Sequence, residues 1–401
     1  MKKTLYKILS FSLIFTFIFF PYSIASSSFI WSEDTASTAT VPITENLDLE
    51  SESCILIEQT SGKILYEKNS HEKLRPASVT KVMTILLIME ALDSGRISLT
   101  DKVPCSENAS KMGGSQIWLD VREELTVDEM LKAICVVSAN DCTVAMAEFL
   151  AGSTEAFVEK MNTRAKELGM NDTCFKNCHG LDEDGHVTSS YDISLMSKEL
   201  LQNHPTITKY TTIWMDTLRD GKSNLTNTNK LIRNYKGATG LKTGSTGLAL
   251  FNLSASATRE NLSLIAVIMR APSTKVRFEE AQKLLDYGFN NYSYVQFAQK
   301  GTTLKNINVS KGTLSSVEVI YEGDSGCLLQ KGKSKNIEQT ISIPDCINAP
   351  INKGQKLGEI IYTLDGEAVG STNLVANEDI KKINISNMFE LLFFTWLRVL
   401  R

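Results

Sequence analysis

The sequence predicts an α+β protein: an antiparallel sheet with a helical cluster, then a small all-β domain and a C-terminal amphipathic helix. Three observations support this fold class. Strand-like segments come in pairs separated by short turns, so the strands that they form are antiparallel. Segments between these pairs carry apolar residues at the helical spacing of three and four. After about residue 295 only short strand-like segments occur, divided by Gly, Asn and Lys turns.

Length and composition exclude several classes of protein. The chain has 401 residues, too many for one average domain, which favours two domains with appendages. Hydrophobic residues make up 42% and charged residues 22%, so the chain is neither disordered nor built of many membrane helices. With a formal net charge of -4, the chain lacks the excess of basic residues that is typical of nucleic-acid-binding proteins. No nucleic-acid partner is therefore expected.

Residues 1–25 have the organisation of a cleaved signal peptide. A lysine-rich start precedes an apolar run over residues 8–20, and small residues at Ser23 and Ala25 mark a cleavage position. A membrane anchor is the alternative, but the run is shorter than the ~20 residues that cross a bilayer. The signal peptide predicts export, and residues 26–48 read as a polar linker.

The first domain is predicted over residues 49–293, and its elements follow from local patterns. A hairpin is expected over residues 53–66, and a second pair of strands over residues 248–269. Apolar stripes and capping signals predict the helices. These helices cover residues 78–92, 126–137, 141–150, 154–168 and 278–289.

A small β-rich domain is predicted over residues 294–375, and an amphipathic anchor helix over residues 376–401. The end of the anchor is almost entirely apolar, and its polar exceptions, which include Glu390 and Arg398, fall on one side of a helix. Such a helix is too short to cross a bilayer but suits the membrane surface, with Trp396 at the interface. The alternative is a helix docked on a protein core.

The eight cysteines have two interpretations. Export permits disulfides, but domains of this size do not require them, so most of the cysteines are expected to be small buried apolar residues. Cys174, Cys178 and His179 come closest to the clustered ligands of a zinc site. Because this cluster is incomplete, no metal is expected.

Common hydrolase signatures do not occur in the sequence. It contains neither H-E-x-x-H nor G-x-S-x-G, and none of the four histidines has the setting of a catalytic triad. A Ser-x-x-Lys pattern does occur, at Ser78 and Lys81, where a helix is predicted to open. The spacing puts Lys81 one turn from Ser78, and a lysine buried beside a hydroxyl has a lowered pKa and can act as its base.

Two further motifs follow along the chain. Ser138 and Asn140 lie at the break between two predicted helices, where they are either simple helix caps or a proton relay and a hydrogen-bonding group. Lys242, Thr243 and Gly244 lie on a predicted strand, where a cation and a hydroxyl can bind a carboxylate and glycine permits close approach.

An oxyanion hole is also expected. The backbone N–H groups of Ser78 and Ser245 are its two candidate donors. Each of the three motifs is weak alone, because short patterns recur by chance, but their joint occurrence in this order is specific.

The three motifs together resemble the S-x-x-K, S-x-N and K-T-G set of penicillin-interacting enzymes. Over roughly residues 46–375 the chain resembles the serine-type D-Ala-D-Ala carboxypeptidases, the low-molecular-mass penicillin-binding proteins. The stretches that are similar to that family include residues 75–84 (R-P-A-S-V-T-K-V-M-T), 179–182 (H-G-L-D), 188–192 (T-S-S-Y-D, as part of a loop) and 240–247 (G-L-K-T-G-S-T-G). Within the family, the chain is most similar to the sporulation-associated branch of Gram-positive bacteria.

The resemblance implies a β-lactamase/transpeptidase-like first domain and a serine acyl-enzyme mechanism. Ser78 would be acylated by the D-Ala-D-Ala carbonyl of a peptidoglycan stem peptide, and Lys81 would accept its proton. Ser138 and Asn140 would assist proton transfer and orientation. β-Lactam antibiotics would acylate the same serine, and no cofactor would be needed.

The resemblance also implies a carboxylate site and marks two departures. Lys242 and Thr243 would hold the terminal carboxylate of the substrate, and Arg277 matches a family arginine nearby. Ser245 stands where the family often has Tyr or His, and residues 248–251 replace a more usual Ala-Gly-Tyr.

The three motifs are also compatible with two other functions. A class A β-lactamase needs a Glu-x-x-Leu-Asn element, and the nearest match, from Glu167 to Asn171, is one residue too long. A penicillin sensor without turnover would be acylated by penicillin but would not release D-alanine. The carboxypeptidase remains the preferred interpretation.

Overall fold

The computed structural model describes residues 47–331, 337–384 and 388. The predicted signal peptide over residues 1–25, the linker up to residue 46 and the apolar end of the predicted anchor helix lie outside the described residues. Within the described part of the chain, no helix has the length and apolar character needed to cross a membrane.

The described residues form strands and helices that alternate in the first two thirds of the chain and are followed by strands alone. The strands are β1 (Ser53–Glu58), β2 (Ile64–Lys68), β3 (Lys102–Pro104), β4 (Glu124–Thr126), β5 (Met215–Leu218), β6 (Ser223–Thr226), β7 (Ala238–Thr246), β8 (Leu250–Arg259), β9 (Leu262–Ala271), β10 (Tyr292–Ala298), β11 (Thr303–Ser310), β12 (Ser316–Tyr321), β13 (Ser325–Gln330), β14 (Ile337–Ser342), β15 (Cys346–Asn348), β16 (Lys356–Leu364) and β17 (Glu367–Ala376). The helices are α1 (Lys81–Asp93), α2 (Glu107–Ser110), α3 (Val127–Val136), α4 (Asn140–Ala151), α5 (Thr154–Glu167), α6 (Ser190–Asn203), α7 (Thr208–Thr211), α8 (Leu231–Asn234) and α9 (Thr274–Asn291), with 3-10 turns at Ala77–Thr80 and Pro205–Ile207.

Five strands form one antiparallel sheet in the order β2-β1-β9-β8-β7. Helices cover both of its faces, and alternate residues of a strand therefore enter different cores. Ile55 and Ile57 of β1 pack into the core with the helical cluster, whereas Cys54 and Leu56 pack into the core with α9. β7 is left at the edge of the sheet, where it contacts the Ala77–Thr80 turn.

The predicted helices of the first domain occur, with two corrections. A capping box between Thr126 and Glu129 opens α3 as predicted. Ser78 does not open an α-helix but lies in the 3-10 turn, and α1 begins at Lys81. Residues 188–192, which the resemblance assigns to a loop, instead contain the N-cap Ser189 and the first turn of α6.

The C-terminal part of the described chain is a β domain. Its main sheet has six strands in the order β14-β16-β17-β12-β11-β15, and β10 pairs separately with β13. Ile380 forms a β-bridge with Ile351 and is buried in the core of this domain. Residues 377–384 belong to the segment for which an anchor helix is predicted, and they are not helical.

Candidate active site

The turn that carries Ser78 is held between two glycines. A Cβ on Gly180 would lie 1.9 Å from the carbonyl oxygen of Ala77, and a Cβ on Gly244 would lie 2.8 Å from the backbone nitrogen of Ser78. Only glycine therefore allows the loop around residue 180 and the strand β7 to approach this turn so closely. Ala77 has a φ of 49°, in the left-handed region that L-residues rarely adopt, and such strain is typical of functional sites.

Lys81 connects the nucleophile to the rest of the site. Its Nζ lies 3.0 Å from Ser78 Oγ, and it donates hydrogen bonds of 2.6 Å both to Asn140 Oδ1 and to the carbonyl oxygen of His179. An ammonium group donates all three bonds. A neutral amine keeps two donors for Asn140 and His179, and its lone pair then accepts the Ser78 hydroxyl proton. The geometry therefore serves both protonation states.

The surroundings of Lys81 favour the neutral amine. The side chain is 0% exposed, and this burial lowers its pKa well below the usual lysine range. The positive charge of Lys242 lowers the pKa further, while Cys178 and Asp141 act in the opposite direction. Burial without a directly paired carboxylate is the arrangement that turns a lysine into a base.

Asn140 connects Lys81 to the loop of residues 113–119, which borders the site. Its Nδ2 donates to the carbonyl oxygen of Gly113 and its backbone N–H to that of Ser115, both at 2.7 Å. The neighbouring carboxylate of Asp141 is fully buried and accepts the N–H groups of Ile117 and Leu119. The beginning of α4 thus fixes both Lys81 and this loop.

Ser138 presents an unused hydroxyl. It lies between α3 and α4 with a φ of 65°, a conformation uncommon for serine. Its Oγ is buried and has no hydrogen-bond partner among the described residues. A buried hydroxyl without a partner is costly unless another group, such as a substrate, satisfies it.

The edge strand β7 carries the third motif. Lys242 is buried and donates to the carbonyl oxygen of Thr243 at 2.9 Å, and Thr243 Oγ1 donates to Thr228 Oγ1 at 2.7 Å. Burial lowers the pKa of Lys242 to about 7, with a further contribution from the charge of Arg277. Ser245, two residues after Thr243, is exposed at the edge of the sheet.

Arg277 lies behind this strand. Its Nη1 donates to the carbonyl oxygens of Gly244 at 3.2 Å and Asn252 at 3.1 Å, and its guanidinium packs between the rings of Phe251 and Phe278. Burial lowers its pKa to about 10, so it stays a cation at neutral pH. It braces β7 against β8 beside the site.

The structure brings Ser78, Lys81 and Asn140 into one hydrogen-bonded cluster and packs Gly244 against the nucleophile turn. The sequence does not predict that the carbonyl of His179 and the carboxylate of Asp141 contribute to the site. A backbone carbonyl has no sequence signature, and the Ser-Ala-Asn-Asp run also fits a simple helix cap.

Arg164 pairs with the acidic residues that a β-lactamase or a metal site would use. Glu167, the nearest match to a β-lactamase glutamate, is an exposed residue at the end of α5 and lies 3.2 Å from Arg164. Arg164 also pairs with Glu90 and Glu199, which with His204 form a possible metal-binding group. These carboxylates are therefore already satisfied by a cation.

All eight cysteines lie in the described part of the chain and are free thiols. Burial raises the thiol pKa of six of them and so disfavours the thiolate form. Cys178 is an example near the site, with a pKa raised to about 12.

Two families match this sequence. Residues 36–273 match the family described as D-alanyl-D-alanine carboxypeptidase. Residues 292–382 match the C-terminal domain of penicillin-binding protein 5. Together these matches span both the α+β and the β domain.

Individual relatives agree with the family matches. The chain is 47% identical to the D-alanyl-D-alanine carboxypeptidase DacF of Bacillus subtilis, over 84% of this chain and 88% of that protein. Penicillin-binding protein 5 from Haemophilus influenzae aligns with a TM-score of 0.68 and 32% identity, over 85% of this chain and 100% of that one. The ampicillin-bound form of penicillin-binding protein D2 from Listeria monocytogenes aligns with a TM-score of 0.56 and 30% identity, over 61% of this chain and 100% of that one.

Proposed function

The chain belongs to the D-alanyl-D-alanine carboxypeptidase family, and we propose that it removes the terminal D-alanine of peptidoglycan stem peptides through an acyl-enzyme on Ser78. The observation that carries this proposal is the 3.0 Å contact between Ser78 Oγ and the fully buried Nζ of Lys81. A weakly acidic hydroxyl needs such a base to become a nucleophile at neutral pH.

The first step of acylation forms a tetrahedral intermediate. Neutral Lys81 accepts the hydroxyl proton of Ser78 while Oγ forms a bond to the carbonyl carbon of the penultimate D-alanine. The carbonyl oxygen becomes an oxyanion, and the N–H groups of Ser78 and Ser245 donate to it. The bonds from Lys81 to Asn140 and His179 hold its Nζ in place throughout.

Collapse of the intermediate breaks the peptide bond. The proton held by Lys81 passes to the departing nitrogen, and the free hydroxyl of Ser138 relays it. D-Alanine leaves as an amine and the stem peptide remains as an ester on Ser78. A water molecule then attacks the ester, which releases the shortened peptide and restores the serine hydroxyl.

The terminal carboxylate of the substrate binds along β7. Lys242 and Thr243 provide a cation and a hydroxyl, whose present bonds to Thr243 O and Thr228 are exchanged for bonds to the carboxylate. Arg277 contributes by donating a hydrogen bond to the carbonyl oxygen of Gly244, because its side chain is buried. β-Lactams, which carry a carboxylate near a reactive carbonyl, occupy the same positions and acylate Ser78.

The proposed place of action is the outer face of the cell membrane. The signal-peptide pattern of residues 1–25 supports export, and the apolar pattern of residues 388–400 supports attachment to the membrane surface. The 47% identity to a Bacillus subtilis relative supports assignment to the Gram-positive, sporulation-associated branch.

Release of D-alanine from diacetyl-L-Lys-D-Ala-D-Ala tests the proposal. The wild-type protein and the Ser315→Ala variant, which alters an exposed serine of the β domain, are expected to release D-alanine, and Ser78→Ala is not. Release by Ser78→Ala at the wild-type rate would overturn the assignment. Acylation of the wild type by labelled penicillin without D-alanine release would instead identify a sensor.

A further inference from the structure

A buried histidine outside the three motifs contacts the nucleophile turn. His186 lies in the loop before α6 and is 2% exposed. Its Nδ1 accepts the backbone N–H of Lys176 at 2.9 Å, and its Nε2 lies 2.8 Å from Thr80 Oγ1. Because a backbone N–H can only donate, Nδ1 carries the lone pair, and in the neutral ring Nε2 carries the proton and donates it to Thr80.

The hydroxyl of Thr80 links His186 to the turn that carries the nucleophile Ser78. Thr80 Oγ1 accepts from His186 and donates its own proton to the carbonyl oxygen of Ala77 at 2.8 Å. With both roles filled, the hydroxyl has one orientation. The three hydrogen bonds form a continuous chain from Lys176 N–H to the peptide bond between Ala77 and Ser78.

That peptide bond contains one of the two candidate oxyanion donors. The bond from Ala77 to Ser78 is trans, so its C=O and N–H groups point in opposite directions in one plane. Whatever fixes the carbonyl of Ala77 therefore fixes the direction of the Ser78 N–H. The strained φ of Ala77 means that this plane needs such a restraint to keep its orientation.

We propose that His186 is a positioning residue that acts through Thr80 to direct the backbone N–H of Ser78 at the oxyanion formed during acylation. The inference rests on the proposed function, because it requires an oxyanion at Ser78. His186 itself touches neither the substrate nor the reacting atoms.

The environment of His186 keeps the required tautomer. Burial lowers its pKa to about 4, the charges of Arg75 and Lys176 act in the same direction, and only Asp182 opposes them. At neutral pH the ring is therefore uncharged and Nδ1 stays an acceptor. The ring of Phe175, with its centroid 5.9 Å away, packs beside the imidazole.

Two substitutions separate hydrogen bonding from packing. His186→Gln offers an acceptor oxygen and a donor nitrogen at a spacing similar to that of the two ring nitrogens, whereas His186→Phe fills the space without either. The readouts are the second-order rate of acylation by benzylpenicillin and the infrared stretch of the acyl-ester carbonyl, labelled with ¹³C. A carbonyl that loses an oxyanion-hole hydrogen bond absorbs at higher frequency.

His186→Phe is expected to slow acylation by about tenfold or more, less than the ~10²–10³ caused by complete loss of an oxyanion donor, and to raise the carbonyl frequency. His186→Gln is expected to restore both values to near those of the wild type. Unchanged rate and frequency in folded His186→Phe would overturn the inference.

Thr80→Val breaks the same chain with a smaller change of volume and serves if His186→Phe does not fold. It is expected to reproduce the slower acylation and the frequency shift, and wild-type values would overturn the inference equally. Failure of the proposed function looks different, because the wild-type protein itself would then either form no acyl-enzyme or be acylated without releasing D-alanine.

Discussion

Replacement of Gly180 by alanine is the most direct perturbation of the nucleophile turn. The added methyl group would lie 1.9 Å from the carbonyl oxygen of Ala77 and 2.9 Å from the backbone nitrogen of Ser78. Both neighbours are backbone atoms, so no side chain can rotate away to relieve the contact. Either the peptide bond between Ala77 and Ser78 must move, or the backbone at Gly180 must move together with the neighbouring His179 carbonyl that binds Lys81.

The size of this movement sets the expected loss. A normal contact between carbon and a carbonyl oxygen is about 3.3 Å, so the two backbone segments must separate by more than about 1 Å. A displacement of this size within a catalytic group costs roughly 10²-fold in rate. We therefore expect Gly180→Ala to acylate with benzylpenicillin at least about 100-fold more slowly than the wild type.

Gly152→Ala is the matched control. Gly152 has a similar positive φ, 83° against 91° for Gly180, but no atom lies within 4 Å of its added Cβ. The backbone conformation alone costs about 1–2 kcal/mol of unfolding free energy, which both variants share. Stopped-flow acylation and urea denaturation measure the two effects separately. Acylation by folded Gly180→Ala within threefold of the Gly152→Ala rate would refute the reasoning.

Charges and hydrogen bonds around the site lead to three further predictions. Lys242→Gln removes a positive charge that lowers the pKa of Lys81. The acid limb of the pH profile of acylation should therefore move to higher pH. An acid limb whose midpoint is unchanged or lower than in the wild type would contradict this. Asp141→Ala leaves the buried N–H groups of Ile117, Leu119 and Cys142 without their carboxylate acceptor, so urea denaturation should show a loss of about 2–4 kcal/mol in unfolding free energy. A loss below about 0.5 kcal/mol would disprove the role of Asp141 in holding the loop that contains Ile117 and Leu119. His186 has a folded-state pKa of about 4, so as pH falls the unfolded state binds the proton first, near pH 6.5. His186 should therefore account for about 3 kcal/mol of the stability that is lost between roughly pH 6.5 and 4. His186→Gln should make the loss shallower by that amount, although His179, whose pKa burial lowers to about 3, still contributes to it. Equal slopes in the two proteins would contradict the assignment.

Much of the fold could be predicted because its signals are local. The capping box at Thr126 and the apolar stripes of α3, α4 and α5 are visible in the sequence, and their helices begin within one residue of the predicted positions. The predicted start of α1 is too early, because the 3-10 turn around Ser78 depends on contacts with Gly180 and Gly244, far away in the chain.

The candidate site was predictable only where side chains form a motif. The spacing of Ser78, Lys81 and Asn140 identifies them in the sequence, and the structure brings them into hydrogen-bonding contact. The contributions of the His179 carbonyl and of His186 depend on how a loop folds over the turn, and no local pattern encodes that.

The central claim concerns one covalent bond. Incubation of the wild-type protein with benzylpenicillin, followed by proteolysis and mass spectrometry, locates the penicilloyl group on a single peptide. We predict that this peptide contains Ser78 and that the adduct is absent from Ser78→Ala and greatly slowed in Lys81→Ala. An adduct on another residue, or equal labelling of Ser78→Ala, would contradict the account.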